Sequence, residues 1–385
     1  MAKCSTVRAR PSPGSLLRAA ALRACRHGAM AIPPASALPT ALSSAAGLGA
    51  RPPWPDPPLQ HKEQAMLSRT ILNGTALSVS RLCYGTNMLG WMLDQGRSNA
   101  ILDTYADLGG NFIDTARSYG DWAPDAPVGA SERAVGAWLR TRNRDDFVIA
   151  TKGGFYDMRV GDFRNRVTPQ DVASDLAQSL DHLGVDTIDL YFLHLDNPES
   201  PVEPLIDALV EHREAGRIRH FAASNWSADR IRAANAYAAS IGKEGFVASE
   251  TFWGLAVPDA AAAAQQGYQH YYEGEYENLH AGGLPIVAYA AQSGGYFTKL
   301  AAGSVGEPLA SRYANDANAR RFAVVEQLAG KHGVSINEVV LAYLLCQPHQ
   351  TIAIFGGSSP EQVRDSAKAD ALKLTDEELA ALRNA

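Results

Sequence analysis

Eight short apolar runs, each ending in polar or turn residues and each separated from the next by a longer segment, constrain this chain more than any other feature. They are RLCYGT (81–86), NFIDTA (111–116), FVIATK (147–152), IDLYFLH (188–194), RHFAASN (219–225), FVASETFW (246–253), PIVAYA (285–290) and TIAIFGG (351–357). Their β-branched and aromatic residues suit strands. Intervening segments such as SNAILDTYADLG, SERAVGAWLRTR, TPQDVASDLAQSLDHLG and PVEPLIDALVEHREAG have helical period. They open on Ser, Thr or Pro and often close on Gly, the start and stop signals of helices. Strands joined through helices pair in parallel. Eight such units predict an α/β fold, a (β/α)8 TIM barrel whose function sits at the C-terminal ends of the strands. A doubly wound sheet is the runner-up, but no G-x-G-x-x-G follows the first strand.

Residues 1–65 differ from the rest. They are rich in Ala, Pro, Arg and Ser and hold eight Lys/Arg against Asp56 and Glu63, a charge of +6. The whole chain carries −6, so residues 66–385 carry −12, which argues against a nucleic-acid surface in the folded part. An acid-poor, Arg- and Ser-containing start fits an organelle transit peptide, the minority reading. The preferred reading is a disordered extension or over-long start, because Met66 begins MLSRTILNGTALSVSRLCYGT, a natural opening for a domain over 66–385. The apolar runs are strand-sized, short of the roughly 18 residues that a membrane helix needs. Cys4, Cys25, Cys83 and Cys346 have neither metal nor disulfide spacing, so no metal is expected and a reducing, cytoplasmic compartment is the default.

Four polar residues mark the strand ends. Asp114 closes the second run, Tyr119 follows in its loop, Lys152 closes the third and His194 the fourth. Each alone reads equally well as a cap, a rim residue or a solvent-facing charge. Together they make a device. An ammonium between a carboxylate and a phenol favours the phenolate and is expected to lower the tyrosine pKa from about 10 toward working pH. Such a tyrosine donates a proton to a carbonyl being reduced and accepts one from an alcohol being oxidised.

On these four residues, in this order, the chain resembles the aldo-keto reductase superfamily over essentially residues 66–385. The resemblance extends to RTILNGTALSVSRLCYGT, similar to the N-terminal β-hairpin that closes the bottom of that family's barrel. It implies Tyr119 as general acid, Lys152 and Asp114 as the partners that set its pKa, and His194 as the group orienting the substrate carbonyl. It implies hydride transfer from NAD(P)H to an aldehyde or ketone. Thr86, Ser224 and Asn225 resemble cofactor-contacting positions, and Tyr289 resembles the aromatic residue on which the nicotinamide stacks. Glu250 stands where the family usually has Gln. Gly294 and Gly295 resemble the pyrophosphate loop, and Gly356, Gly357, Ser358, Gln362 and Ser366 the adenosine-phosphate segment. Ser366 occupies a position where Asn is usual, and no Lys or Arg stands at 356–359 to pair with a 2'-phosphate. NADP(H) is favoured narrowly over NAD(H).

Asn87, Trp91, Trp122, Phe155, Trp226 and Trp253 in the strand-end loops are candidates to line a substrate pocket, about half of them being expected to touch substrate. The tyrosine-rich stretch GYQHYYEGEYENLH (267–280) reads as a helix face or a subunit contact. Expected partners are a bulky carbonyl or sugar-like small molecule, with no nucleic acid and no membrane, acting on a monomer or homo-oligomer. Two alternatives stay open. One is a sugar or secondary-alcohol dehydrogenase working in the oxidative direction, toward which Glu250 leans. The other is a redox sensor resembling the potassium-channel β-subunit.

Overall fold

In a computed structural model, all eight runs become strands of one closed parallel barrel. The structure describes residues 66–268, 272, 273, 279 and 283–385; the extension expected over 1–65 and most of the tyrosine-rich stretch lie outside them. An antiparallel hairpin comes first, β1 (Arg69–Ile71) with β2 (Ser78–Ser80). The barrel strands are β3 (Leu82–Gly85), β4 (Phe112–Asp114), β5 (Val148–Gly153), β6 (Ile188–Leu193), β7 (Ile218–Ser224), β8 (Ser249–Phe252), β9 (Ile286–Tyr289) and β10 (Thr351–Phe355). Each pairs with the next in order, and β10 closes on β3. Residue 246 was expected to begin β8, yet the strand begins at Ser249. The Asn235 side chain holds both the N–H and the carbonyl of Phe246, tying that backbone to the helix Ala228–Ser240 instead of the ladder.

Two apolar layers follow from the two-residue period of the strands. One set of side chains, among them Phe112, Ala150, Leu190, Phe192, Ala222, Ala248, Val287 and Ile352, fills the lumen. Leu72, Leu77 and Val79 of the hairpin belong to the same cluster and close it. The alternate set, including Ile113, Ile149, Tyr191 and Phe221, packs under the helices. The helix Pro169–Leu183 illustrates the local logic: Thr168 accepts from the Asp171 N–H, Pro169 stands in the first turn, and Gly184 ends it at φ +68°. Among the described residues no helix is long and apolar enough to cross a membrane.

The helix Ala130–Leu139 lies close against the end of that one. A Cβ on Gly136 would fall 2.6 Å from the carbonyl oxygens of His182 and Leu183, which are backbone atoms with little freedom to retreat. Gly136→Ala is therefore expected to cost about 2 kcal/mol of stability, read as a lower urea midpoint at an unchanged slope.

Candidate active site

One register step above the apolar lumen the chemistry changes. Two residues beyond the last lumen side chain of each strand stand Gly85, Asp114, Lys152, His194, Ser224, Glu250, Tyr289 and Gly356. Four residues predicted to bind cofactor, Ser224, Glu250, Tyr289 and Gly356, thus share this layer with the catalytic candidates Asp114, Lys152 and His194 because strand period and barrel register require it. Tyr119 reaches it from the loop after β4.

Lys152 is fully buried and is the hub. Its ammonium donates to Asp114 Oδ1 at 2.5 Å, to the Thr115 carbonyl at 3.1 Å and to the Tyr119 hydroxyl at 3.2 Å. Glu250 Oε1 lies 3.3 Å from the same nitrogen. The Tyr119 and His194 rings meet edge to face with centroids 5.9 Å apart. The four catalytic candidates are thus brought together.

Burial and charge compete at each of these groups. Desolvation would discharge Lys152, but Asp114, Glu250 and Tyr119 outweigh it and hold the ammonium well above its ordinary range. Burial raises Asp114 despite its lysine. His194 is pushed well below its ordinary value, first by burial and then by the Lys152 charge, so its imidazole is neutral at working pH. Tyr119 departs from expectation. Burial raises its phenol, Lys152 lowers it, Asp114 and Glu250 raise it again, and the net position lies above the ordinary value. The lysine does pull as anticipated, but desolvation and a second carboxylate, neither visible in residue spacing, outweigh it.

Around this core the cofactor candidates fall into two groups. Asn225, at φ +58°, follows β7 and donates to the His194 carbonyl at 3.0 Å while accepting from the Tyr289 hydroxyl at 2.7 Å. The Tyr289 ring stacks on Phe252 at 5.7 Å. Thr86 is buried, its hydroxyl donating to the Asp114 carbonyl and bonded to Ser131, so it braces these strand ends against the helix Ala130–Leu139. Farther out, Gly294 and Gly295 take φ of +65° and +77° ahead of the helix Tyr296–Ala301. The Gln292 amide carbonyl accepts from the Gly356 N–H at 2.9 Å, and its NH2 donates to Asn337 and Ser366. Tyr84 donates to the Gly357 carbonyl, and the Ser358 N–H donates to Gln362 Oε1 at 2.7 Å. The two glycine loops are therefore latched together by Gln292, whose role no sequence motif had signalled.

A model of the aldo/keto reductase family matches residues 81–385. The chain belongs to the aldo/keto reductase family. It is 30% identical over 350 residues, covering 85% of this chain and 83% of the relative, to aldo-keto reductase ausK of Aspergillus calidoustus. It is 27% identical to the NADP(+) aldo-keto reductase yakc of Schizosaccharomyces pombe, over 83% of this chain and 91% of that one. It is also 25% identical to an aryl-alcohol dehydrogenase of Pestalotiopsis microspora, over 84% and 83%. As a member of this family the chain is an NAD(P)-dependent oxidoreductase acting on carbonyl groups.

The residues present fit a nicotinamide cofactor. Glu250 Oε2 is buried without a hydrogen-bond partner, an acceptor of the kind a carboxamide NH2 would satisfy. A Cβ on Gly356 would meet nothing within 4 Å, and one on Gly295 only the end of Lys299, so both backbones face open space. Ser366 differs from expectation: it is buried and takes hydrogen bonds from Asn337 and Gln292, which turns its hydroxyl inward. Arg364 is exposed and near Glu361, whereas Arg97, from the helix Gln95–Asp107, reaches the Ser358 carbonyl at 3.5 Å. That cation was missed because it is distant in sequence.

The substrate candidates divide. Trp91 and Trp122 pack edge to face at 5.5 Å, Trp122 lies 6.2 Å from Tyr119, and Phe155 lies 4.6 Å from His194, forming an aromatic wall beside the tetrad. Trp122 keeps 40% of its surface exposed. Asn87 is exposed and its carbonyl accepts from Trp91 Nε1. Trp226 and Trp253 do not join them. Both are fully buried, Trp226 against Phe246 with Nε1 donating to Leu195, and Trp253 against Tyr272 and Tyr343. Their loops turn those rings into the protein. Tyr156, in ring contact with Phe155, extends the wall. Arg117, read from sequence as a loop spacer, is a buried clamp on Asp121, which also binds Arg159, and so pins the Tyr119 loop to the loop after β5.

Proposed function

We propose that this chain reduces a bulky aryl aldehyde or ketone to its alcohol, using NADP(H) in preference to NAD(H), with Tyr119 as the general acid. The observation that carries the reading is the Lys152 ammonium bonded at once to Asp114 and to the Tyr119 hydroxyl, with His194 alongside. The bound nicotinamide supplies the hydride. Because burial and the nearby carboxylates keep the phenol protonated, Tyr119 holds the proton that the developing alkoxide needs, and it releases it from its hydroxyl to the substrate oxygen. Lys152, already donating to that hydroxyl, stabilises the phenolate left behind. The neutral His194 imidazole donates a hydrogen bond that orients the carbonyl without competing as an acid.

Two observations support an aryl substrate: the wall of Trp91, Trp122 and Phe155 beside the tetrad, and the relative named as an aryl-alcohol dehydrogenase. Arg97 beside Ser358 supports NADP(H), as does the relative named for NADP(+). The catalytic body is residues 66–385, and the compartment we propose is the cytoplasm. Oxidation of the alcohol is the second reading, favoured by Glu250 beside Lys152. The test is turnover of an aryl aldehyde and of an open-chain sugar, each with NADPH and with NADH. The aryl aldehyde with NADPH is expected to lead in kcat/KM by about tenfold. A preference for the sugar overturns the substrate reading, and no consumption of either cofactor overturns the function.

A further inference from the structure

Glu250 is the residue in this layer whose charge has no full counterpart. Lys152 has three ammonium protons, and they are directed to Asp114 Oδ1, the Thr115 carbonyl and the Tyr119 hydroxyl. Glu250 Oε1, 3.3 Å from the same nitrogen, is a fourth acceptor competing for three protons, and its Oε2 is buried with no partner. Two carboxylates thus share one cation. The other groups facing this point add no positive charge: Cys83 on β3 and Tyr119 are held protonated, His194 is held neutral, and Ser224 on the flanking strand has no titratable group. With Glu250 ionised the cluster of Asp114, Lys152 and Glu250 carries one net negative charge inside the barrel, where screening by water is weak.

We propose that Glu250 makes this site select the oxidised, cationic nicotinamide over the reduced, neutral one, and so biases the enzyme toward alcohol oxidation whenever its carboxyl is ionised. The inference rests on the nicotinamide reading above. A cation beside the cluster neutralises it, whereas a neutral ring leaves the charge as it was; Gln at this position would remove the distinction while keeping an amide carbonyl for the carboxamide. The selection is conditional on pH. Burial, then Asp114, raise the Glu250 carboxyl against the pull of Lys152, to about 8. Below that pH Glu250 carries a proton, the cluster is neutral and the preference fades. Above it the charge is present and oxidised cofactor gains. By linkage, binding the cation near that pH expels part of a proton.

The experiment is a fluorescence titration of the full chain and of Glu250→Gln with NADP+ and with NADPH, at about pH 7 and about pH 9. In the wild type the ratio of the NADPH to the NADP+ dissociation constant is expected to rise about tenfold between the two pH values, and in Glu250→Gln to stay flat. Calorimetry on the wild type alone, in buffers of different ionisation enthalpy near pH 8, is expected to detect proton release with NADP+ and none with NADPH. The latter carries the same 2'-phosphate and so controls for it, and this arm holds even if the variant does not fold. Equal pH dependence in wild type and variant, or identical proton release with both cofactors, overturns the proposal while leaving the function intact. Failure of the wild type to bind either cofactor overturns the nicotinamide reading and this inference with it.

Discussion

Tyr119→Phe is expected to lower kcat by about a thousandfold while changing cofactor affinity by less than about twofold. The substitution removes one oxygen. The ring stays, and with it the contacts to His194 and Trp122. The lost hydroxyl leaves Lys152 with Asp114 Oδ1 and the Thr115 carbonyl, so its charge remains matched and the fold should be unaffected. What disappears is the proton that meets the developing alkoxide. Steady-state kinetics alongside a cofactor titration separate the two effects. If kcat survives within about tenfold of wild type, another group is the acid. A parallel loss of cofactor binding would mean that the phenol shapes the pocket instead of acting in the chemistry.

Lys152→Met should have the larger effect on stability. Asp114 and Glu250 are both buried and both depend on that ammonium. Removing it leaves Asp114 without its cation beside a Glu250 that is protonated at neutral pH, at an expected cost of about 3–5 kcal/mol. The sign of the pH dependence follows from the direction of the shifts. Without the lysine, both carboxyls titrate above their unfolded values, so the folded state binds more protons than the unfolded state and stability recovers as pH falls. Urea unfolding of the variant near pH 8 and near pH 6 checks this, with the lower pH expected to be the more stable. Adding Glu250→Gln to Lys152→Met should remove the part of the pH dependence that Glu250 carries, because a carboxyl held protonated by burial is replaced by a neutral amide. A variant whose stability falls with acidification in the same way as the wild type would show that the cluster does not carry the charges assigned to it.

Much of the architecture was legible because it depends on local pattern. Eight apolar runs with helical segments between them leave few alternatives to a closed parallel barrel, and all eight appear in it. The helix Pro169–Leu183 starts and stops where TPQ and LG announce it. The convergence of Asp114, Tyr119, Lys152 and His194 was legible too, because strand-end positions in a parallel barrel meet wherever they lie in the chain. What escaped was anything set by orientation within a loop. Trp226 and Trp253 have the same residue type and strand-end position as a rim aromatic, yet the turns that follow β7 and β8 bury them. Trp91 and Trp122 stay beside Tyr119 for the same kind of reason, which composition does not encode.

The charges divide along the same line. Sequence alone determined which ionisable groups would stand at the barrel mouth, because side-chain alternation and strand order are properties of the chain. It determined as well that a carboxylate, Glu250, would be one of them. Only the tertiary structure decided how those groups titrate, since desolvation depends on what packs around a group. It put Tyr119 above its ordinary value rather than below and left Glu250 sharing a cation with Asp114. It also decided that Gln292 latches one glycine loop to the other and that Arg117 and Arg159 meet on Asp121. Those contacts join residues from different βα units, and no spacing along the chain records the distance between two loops that the barrel alone brings together.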